Sequence, residues 1–259
     1  MKTLVLIPAY NEEKTIHKVI SEVKANGFDV LVVDDGSGDN TAKLAHDAGA
    51  YVLVHKINRG QGATLKTGIE YAKRSDYEVV AFFDADGQMR ADEISKIIAP
   101  VISSDCEVAL GSRFLGRAIN IPLSKKITLK LACLFTRITT GLKLTDTHNG
   151  FQAWSVSALK KINLTQDGFA HASELLQEIA DKKIKYKEMP VTIVYTIYSK
   201  MKGQSVFNAF NIIWDLCLAI IITSPKYSDF LMFIIFSSLN LNPIHRLSVP
   251  FLIRKNSST

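Results

Sequence analysis

Val79-Val80-Ala81-Phe82-Phe83-Asp84-Ala85-Asp86-Gly87-Gln88 decides how the rest of the chain is read. Five consecutive apolar residues, opening on two valines, suit a buried strand, and the run stops at two aspartates and a glycine. Side chains at i, i+2 and i+4 of an extended segment fall on one side, so Asp84, Asp86 and Gln88 can present oxygens together at the strand end. Two such carboxylates repel unless a cation sits between them. Hard oxygen ligands beside a diphosphate favour Mg²⁺ or Mn²⁺, which keep open positions for phosphate oxygens. The plainer alternative is an Asp-rich turn that only ends a strand. An EF-hand loop is excluded, because Gln88 and Met89 stand where it needs an acid and a glycine.

Working outward, short β-branched runs alternate with longer segments of helical periodicity from Met1 to about Gly111. Strands are expected at Leu4–Ile7, Val30–Val33, Tyr51–Val54, Val79–Phe83 and Val108–Leu110, with helices at Glu13–Lys24, Thr41–Ala48, Ala63–Ala72 and Asp92–Ile102. That alternation predicts an α/β domain with a largely parallel central sheet flanked by helices. Ligands of such sheets collect at the carboxyl ends of the strands. The polar motifs lie there: Pro8-Ala9-Tyr10-Asn11-Glu12, Asp34-Asp35-Gly36-Ser37, Asn58-Arg59-Gly60-Gln61-Gly62 and the Asp84–Gln88 string. Beyond Arg113 a helix over Ser124–Thr140, a polar turn over Asp146–Gly150, a helix over Ala172–Lys182 and a strand over Val191–Tyr195 are expected.

The chain's 259 residues suffice for one such domain and an appendage. The 31 basic against 25 acidic residues give +6, which suits an anionic substrate or membrane surface. The basic residues are scattered and no nucleic-acid-binding motif is present, so no nucleic-acid partner is expected. No G-x-G-x-x-G follows the first strand, which argues against a dinucleotide-dependent oxidoreductase. Cys106, Cys133 and Cys217 are isolated from one another and read as reduced thiols, pointing to the cytoplasm. The N-terminal run Thr3–Pro8 is too short for a signal peptide and is expected to be the first strand. A catalytic domain over residues 1–207 is expected, followed by an apolar tail over 208–259. The runs Leu216–Thr223 and Phe230–Phe236 are each shorter than the ~18 to 20 residues that span a bilayer, so peripheral contact at the inner face of the membrane is expected instead.

Taken in order and spacing, the four strand-end motifs resemble glycosyltransferase family 2 on a GT-A (nucleotide-diphospho-sugar transferase) fold, most closely its dolichyl-phosphate mannose synthase-like branch. The resemblance covers about Lys2 to Ser205. It implies that Pro8, Tyr10 and Glu12 with Asp35 hold the nucleotide, with Asp84 shared between nucleotide and metal. It implies that Asp84, Asp86 and Gln88 form the metal and diphosphate site. Gly111-Ser112-Arg113-Phe114 is similar to the segment whose arginine contacts the donor phosphates, although a surface ion pair also explains Arg113. Asp146-Thr147-His148-Asn149-Gly150-Phe151 resembles an acceptor-side turn. Where the mannose synthases carry an arginine before G-x-S-K, this chain has Lys200 and Lys202 to supply positive charge.

The expected chemistry is inverting transfer of a sugar from a UDP- or GDP-linked donor to a lipid-linked, polyprenyl-phosphate-like acceptor or to a saccharide. Asp86, Arg113, Asp146 and Lys202 are the catalytic candidates. A sugar hydroxyl must lose a proton during attack, whereas a lipid phosphate is already an anion. Asp146 and Glu174 are the candidate bases, and an exposed helical acid equally explains Glu174. Two alternatives stand beside this reading: a non-catalytic nucleotide-sugar-binding protein, and a haloacid-dehalogenase-like phosphatase using Asp84 as nucleophile.

Overall fold

The computed structural model describes residues 1–196. The tail, its boundary near residue 208, Lys200, Lys202 and Cys217 lie outside the described residues. The elements run β1 (Thr3–Ala9), α1 (Ile16–Ala25), β2 (Asp29–Asp34), α2 (Thr41–Asp47), β3 (Tyr51–Val54), α3 (Gln61–Lys73) and β4 (Val79–Phe82). They continue with α4 (Ile94–Ile102), β5 (Val108–Ile119), α5 (Leu123–Thr140), β6 (Gln152–Ser155), α6 (Val156–Leu159), α7 (His171–Asp181) and β7 (Tyr186–Val194). The seven strands form one sheet in the order β3-β2-β1-β4-β6-β5-β7. Only β6 runs antiparallel to its neighbours; the other pairings are parallel.

Alternation along the strands builds a core on each face of the sheet. In β1, Val5 and Ile7 face α1 and α4 through Ile16, Val19, Ile20, Ile94 and Ile97. Leu4 and Leu6 face α3, α6 and α7 through Leu65, Ile69, Leu159 and Leu176. Both sets are fully or almost fully buried, which explains why the central strands read as continuous apolar runs. Cys106 is buried and Cys133 half-buried, both as free thiols.

The strand expected over Val191–Tyr195 opens earlier, at Tyr186, and the short α6 was not expected; two further differences bear on the site. β5 does not stop at Leu110 but continues to Ile119, with a register shift between Ser112 and Arg117 where it pairs with β7. The Gly-Ser-Arg-Phe-Leu-Gly-Arg stretch has weak strand propensity, and pairing with β7 overrides it. β6 was not expected at all. It is four residues long, yet it is inserted between β4 and β5 and buried through Ala153 and Trp154. Its register sets Phe82 opposite Gln152. Phe83 and Phe151, the next residues on each strand, meet edge to face at 5.3 Å. This antiparallel step carries the Asp146–Gly150 turn to the end of β4, beside Asp84.

Candidate active site

The first two strand-end loops are knitted together by short polar side chains. Asp34 accepts from the backbone N–H and hydroxyl of Ser37, and Ser37 Oγ accepts from Asn11 N–H at 2.9 Å. Thr41 Oγ1 accepts from Glu12 N–H at 2.7 Å, while the Glu12 carboxylate accepts from Thr15. Pro8 is half-buried, Tyr10 is exposed and Glu12 is buried. The structure thus gathers Pro8, Tyr10, Glu12 and Asp35 at the adjoining ends of β1 and β2.

Asp35 is buried and its carboxylate is already engaged. It accepts from the N–H groups of Arg59 and Gly60, the latter at 2.6 Å, and bonds His55 Nδ1 at 2.8 Å. His55 Nε2 lies 2.9 Å from Thr67 Oγ1, so the ring is held at both nitrogens. Asp35 therefore shapes the Asn58–Gly62 loop, whatever it offers a ligand. That loop is covered by residues 166–168: a Cβ on Gly62 would run into the Gln166 carbonyl, and Arg59 pairs with Asp167. Glu174 stabilises this cover by accepting from Thr165 N–H, Thr165 Oγ1 and Gln166 N–H. Both of its oxygens anchor that loop, which explains the residue without a catalytic role. A cleft of about 630 Å³ runs along α3 past Arg59 and Lys66, but none of its lining residues is a carboxylate of the β4 end.

At the end of β4, Asp84 is half-buried against Gly150, where an added Cβ would lie 2.7 and 2.8 Å from its carboxylate oxygens. Burial, then the charges of Asp86 and Glu12, push the Asp84 carboxyl up to about 7, against opposing pulls from Arg113 and Lys125. The cost that Asp86 adds to ionising Asp84 is one that a cation between the two carboxylates would relieve. Asp86 accepts from Gln88 N–H at 3.0 Å, and the Gln88 carbonyl accepts from Val194 N–H, which ties the motif to β7. Among the described residues no group of three or more His, Cys, Asp or Glu side chains could hold a metal. A pair of carboxylates whose remaining positions go to water and phosphate oxygens is the donor set that Mg²⁺ accepts, so these residues fit the ion.

Arg113 is not a surface ion pair. It is buried on β5, with its Nε 2.6 Å from Asp146 Oδ2, its Nη1 2.5 Å from the Tyr195 hydroxyl and its Nη2 2.6 Å from the His148 carbonyl. Asp146 Oδ2 also accepts the Arg113 backbone N–H at 3.0 Å. These bonds fix the guanidinium plane and, among the described residues, engage three of its five N–H groups. Burial works against the charge of Arg113, but Asp146 and Tyr195 outweigh it and hold the pKa above the ordinary arginine value. Asp146 is buried in turn, and among the described residues its Oδ1 has no hydrogen-bond donor. Glu188 on β7 secures the turn by accepting from Thr145 N–H, Thr145 Oγ1 and Asp146 N–H.

The sequence reading missed Lys125 and Tyr195. Lys125, in the first turn of α5, lies 5.0 Å from the Tyr195 ring centroid and is felt electrostatically by Asp84, Asp86 and Arg113. Burial, then the Arg113 charge, lower its pKa. The sequence signal was a basic pair opening a helix after proline, which has no meaning until the helix is placed beside β4.

The profile described as Glycosyl transferase family 2 matches residues 4–162, more than half of the chain. The chain is 32% identical over 235 residues to a UDP-N-acetylglucosamine–dolichyl-phosphate N-acetylglucosaminyltransferase of Methanococcus voltae, covering 82% of this chain and 94% of that one. It is 28% identical over 223 residues to the polyprenol monophosphomannose synthase of Mycolicibacterium smegmatis, covering 80% and 84%. Among solved structures, the glucosyl-3-phosphoglycerate synthase of Mycobacterium tuberculosis, crystallised with Mn²⁺, UDP-glucose and phosphoglyceric acid, superposes with a TM-score of 0.63. That match covers 83% of this chain and 79% of that chain at 19% identity, a likeness of fold. The phosphatase alternative falls with these matches. The GT-A sheet, the paired aspartates at the end of β4 and the family profile lead to one assignment: the chain is a glycosyltransferase and belongs to glycosyl transferase family 2.

Proposed function

We propose that this enzyme transfers a sugar from a UDP- or GDP-linked donor to a polyprenyl-phosphate acceptor, with inversion and with Mg²⁺ or Mn²⁺ as cofactor. The observation that carries the reading is the burial of Arg113, fixed by Asp146, Tyr195 and His148, beside the Asp84–Asp86 pair. Asp84 and Asp86 would hold the cation, with Gln88 supporting the loop they share. When bound, the cation neutralises charge on the departing diphosphate. Pro8, Tyr10, Glu12 and Asp35 frame the nucleoside at the ends of β1 and β2. The N–H groups of Arg113 outside those bonds face the diphosphate as a preorganised, permanently charged donor. Lys202, in the segment that follows Tyr195, adds charge at the same leaving group.

The bond from the anomeric carbon to the diphosphate oxygen breaks, and its electron pair leaves with the nucleoside diphosphate. An acceptor oxygen forms the new bond from the opposite face. Glu174 is bonded to its own loop, and Asp146 holds Arg113 through Oδ2 while its Oδ1 is unbonded among the described residues. A phosphate acceptor needs no base, because its oxygen is already charged, whereas a sugar hydroxyl would have to give its proton to a group such as Asp146 Oδ1. The names of the dolichyl-phosphate and polyprenol relatives support the phosphate class. Catalysis is placed in residues 1–207, with 208–259 as an appendage at the cytoplasmic membrane face.

The test is product analysis across UDP- and GDP-sugars, with a polyprenyl phosphate or a free saccharide as acceptor, with metal or with chelator. Metal-dependent formation of a polyprenyl-phosphate sugar is expected. Transfer only to a saccharide, or binding with no transfer to either acceptor, overturns the proposal.

A further inference from the structure

The cleft along α3 holds none of the catalytic carboxylates, and sugar transfer does not account for it. Its volume, about 630 Å³, is that of a small-molecule site. Two adjacent rows of α3 side chains line it. Lys66, Glu70 and Arg74 form one row at helical spacing, and Ala63, Thr67 and Tyr71 form the row beside it. Arg59 lines the end that adjoins the Asn58–Gly62 loop. Three cations thus face one acid. Glu70 is compensated by Lys73 at 3.0 Å and Arg74 at 4.0 Å, and Arg59 pairs with Asp167 at 3.3 Å. Lys66 is exposed and has no ion-pair partner among the described residues. A concave surface with surplus positive charge concentrates anions. Thr67, Tyr71 and Glu70 add hydroxyl groups and a carboxylate acceptor, which suit a polyhydroxylated ring. A sugar phosphate carries both parts.

The inner wall of the cleft leads to the nucleotide end of the sheet. The hydroxyl of a helical threonine ordinarily bonds back to the carbonyl of the preceding turn. That of Thr67 instead meets His55 Nε2 at 2.9 Å, and His55 Nδ1 lies 2.8 Å from Asp35 Oδ1. An ionised carboxylate only accepts, so Nδ1 carries a proton, and in the neutral ring Nε2 accepts the Thr67 O–H. Arg59 makes a second link. Its side chain lines the cleft, while its backbone N–H sits on both Asp35 oxygens at 3.0 and 3.1 Å.

We propose that this cleft binds a sugar phosphate, and that its occupant weakens nucleotide binding through Thr67, His55 and Arg59. The phosphate is held by Lys66 and Arg59, and the ring lies along Thr67 and Tyr71. Occupancy draws Arg59 away from Asp167 and takes the Thr67 proton, so both supports of the Asp35 loop slacken. The binding step stands on the cleft alone; the coupling rests on the reading of Asp35 as framing the nucleoside. By linkage, nucleotide weakens the sugar phosphate by the same factor.

The experiment begins with calorimetric titration of glucose 6-phosphate into the full chain with chelator present, beside glucose and inorganic phosphate. Saturable binding at about millimolar strength is expected, at least about fivefold weaker for either fragment. Lys66→Glu, with its fold checked by thermal melt, should weaken it about tenfold or more. UDP and GDP are then titrated with Mn²⁺ at rising glucose 6-phosphate. The nucleotide midpoint should weaken to a plateau of about fivefold, and Thr67→Val should shrink that plateau below about twofold. Absence of saturable binding, inorganic phosphate binding as tightly as the ester, or undiminished binding by Lys66→Glu overturns the site. An unchanged or tightened nucleotide midpoint, or a full plateau in Thr67→Val, overturns the coupling. Weakening that never levels off, or that survives Lys66→Glu, marks competition at the donor site and overturns it too. Failure of the nucleotide reading is seen separately, as neither UDP nor GDP binding before any sugar phosphate is added.

Discussion

Replacing Gly150 with alanine tests the site where its geometry is tightest. The new Cβ would stand 2.7 Å and 2.8 Å from the two carboxylate oxygens of Asp84 and 3.0 Å from its Cγ. Carbon–oxygen contacts relax at about 3.3 Å or beyond, so the carboxylate must retreat by roughly 0.5 Å. The backbone beside it cannot easily absorb this, because Phe83 N–H is bonded to the Leu6 carbonyl at 3.0 Å and the Phe83 ring is set against Phe151. The displacement therefore falls on the carboxylate itself. Catalytic groups must be held within about 0.5 Å of productive geometry and a 1 Å error costs about 100-fold, so kcat/KM should drop about 10- to 100-fold, equivalent to about 1.4 to 2.7 kcal/mol of transition-state stabilisation. Overpacking should cost about 1–3 kcal/mol of stability, to be read separately from thermal melts. The assays are metal-dependent sugar transfer and Mn²⁺ titration. Gly168→Ala is the control, since an added Cβ there meets nothing within 4 Å. A folded Gly150→Ala enzyme with unchanged turnover and metal affinity would refute the placement of Asp84 in the metal site.

Three further outcomes follow from the same network. Arg113→Ala should remove transfer almost completely and destabilise the protein by about 3–5 kcal/mol, because it strands the buried Asp146 carboxylate; a melt within 1 °C of the natural protein would contradict the buried pair. The folded Asp84 carboxyl sits near 7, above its unfolded value of 3.8, so the folded state holds this proton more tightly and the metal-free protein loses stability as pH rises from about 4 to 7. Metal must displace that proton, so Mn²⁺ affinity should fall about tenfold per pH unit below 7; calorimetry giving a flat profile from pH 5 to 8 would refute it. Glu174→Gln abolishes basicity at the cost of one loop hydrogen bond, since its amide nitrogen cannot accept, so kcat should change less than about fivefold with its pH dependence unaltered; loss of the ascending acid-side limb would make Glu174 a base.

Much of the fold was legible because the strands that build it are buried on both faces. Leu4–Ile7, Val30–Val33 and Val79–Phe82 are apolar without interruption, and each ends on polar residues that can only be a loop. The second half resisted because its strands are decided by partners. Gln152–Ser155 has no β-branched residue and is a strand only because β4 and β5 flank it. The Asp84–Asp86 pair was visible as a local spacing. The role of Asp146 was not, because its contact with Arg113 joins residues 33 apart through the β5–β6 register. Lys125, Tyr195 and Glu188 were silent for the same reason: each acquires its partner only when α5 and β7 are set beside the end of β4.

The central claim is that Asp84 and Asp86 hold a divalent cation for a nucleoside diphosphate. Calorimetric titration with UDP and with GDP, each with and without Mn²⁺, on the natural protein and on Asp86→Ala, tests it most directly. The account predicts that one nucleotide binds, that binding needs the metal, and that Asp86→Ala abolishes it while leaving the thermal melt intact. Nucleotide binding of equal strength without metal, or undiminished in Asp86→Ala, would contradict it.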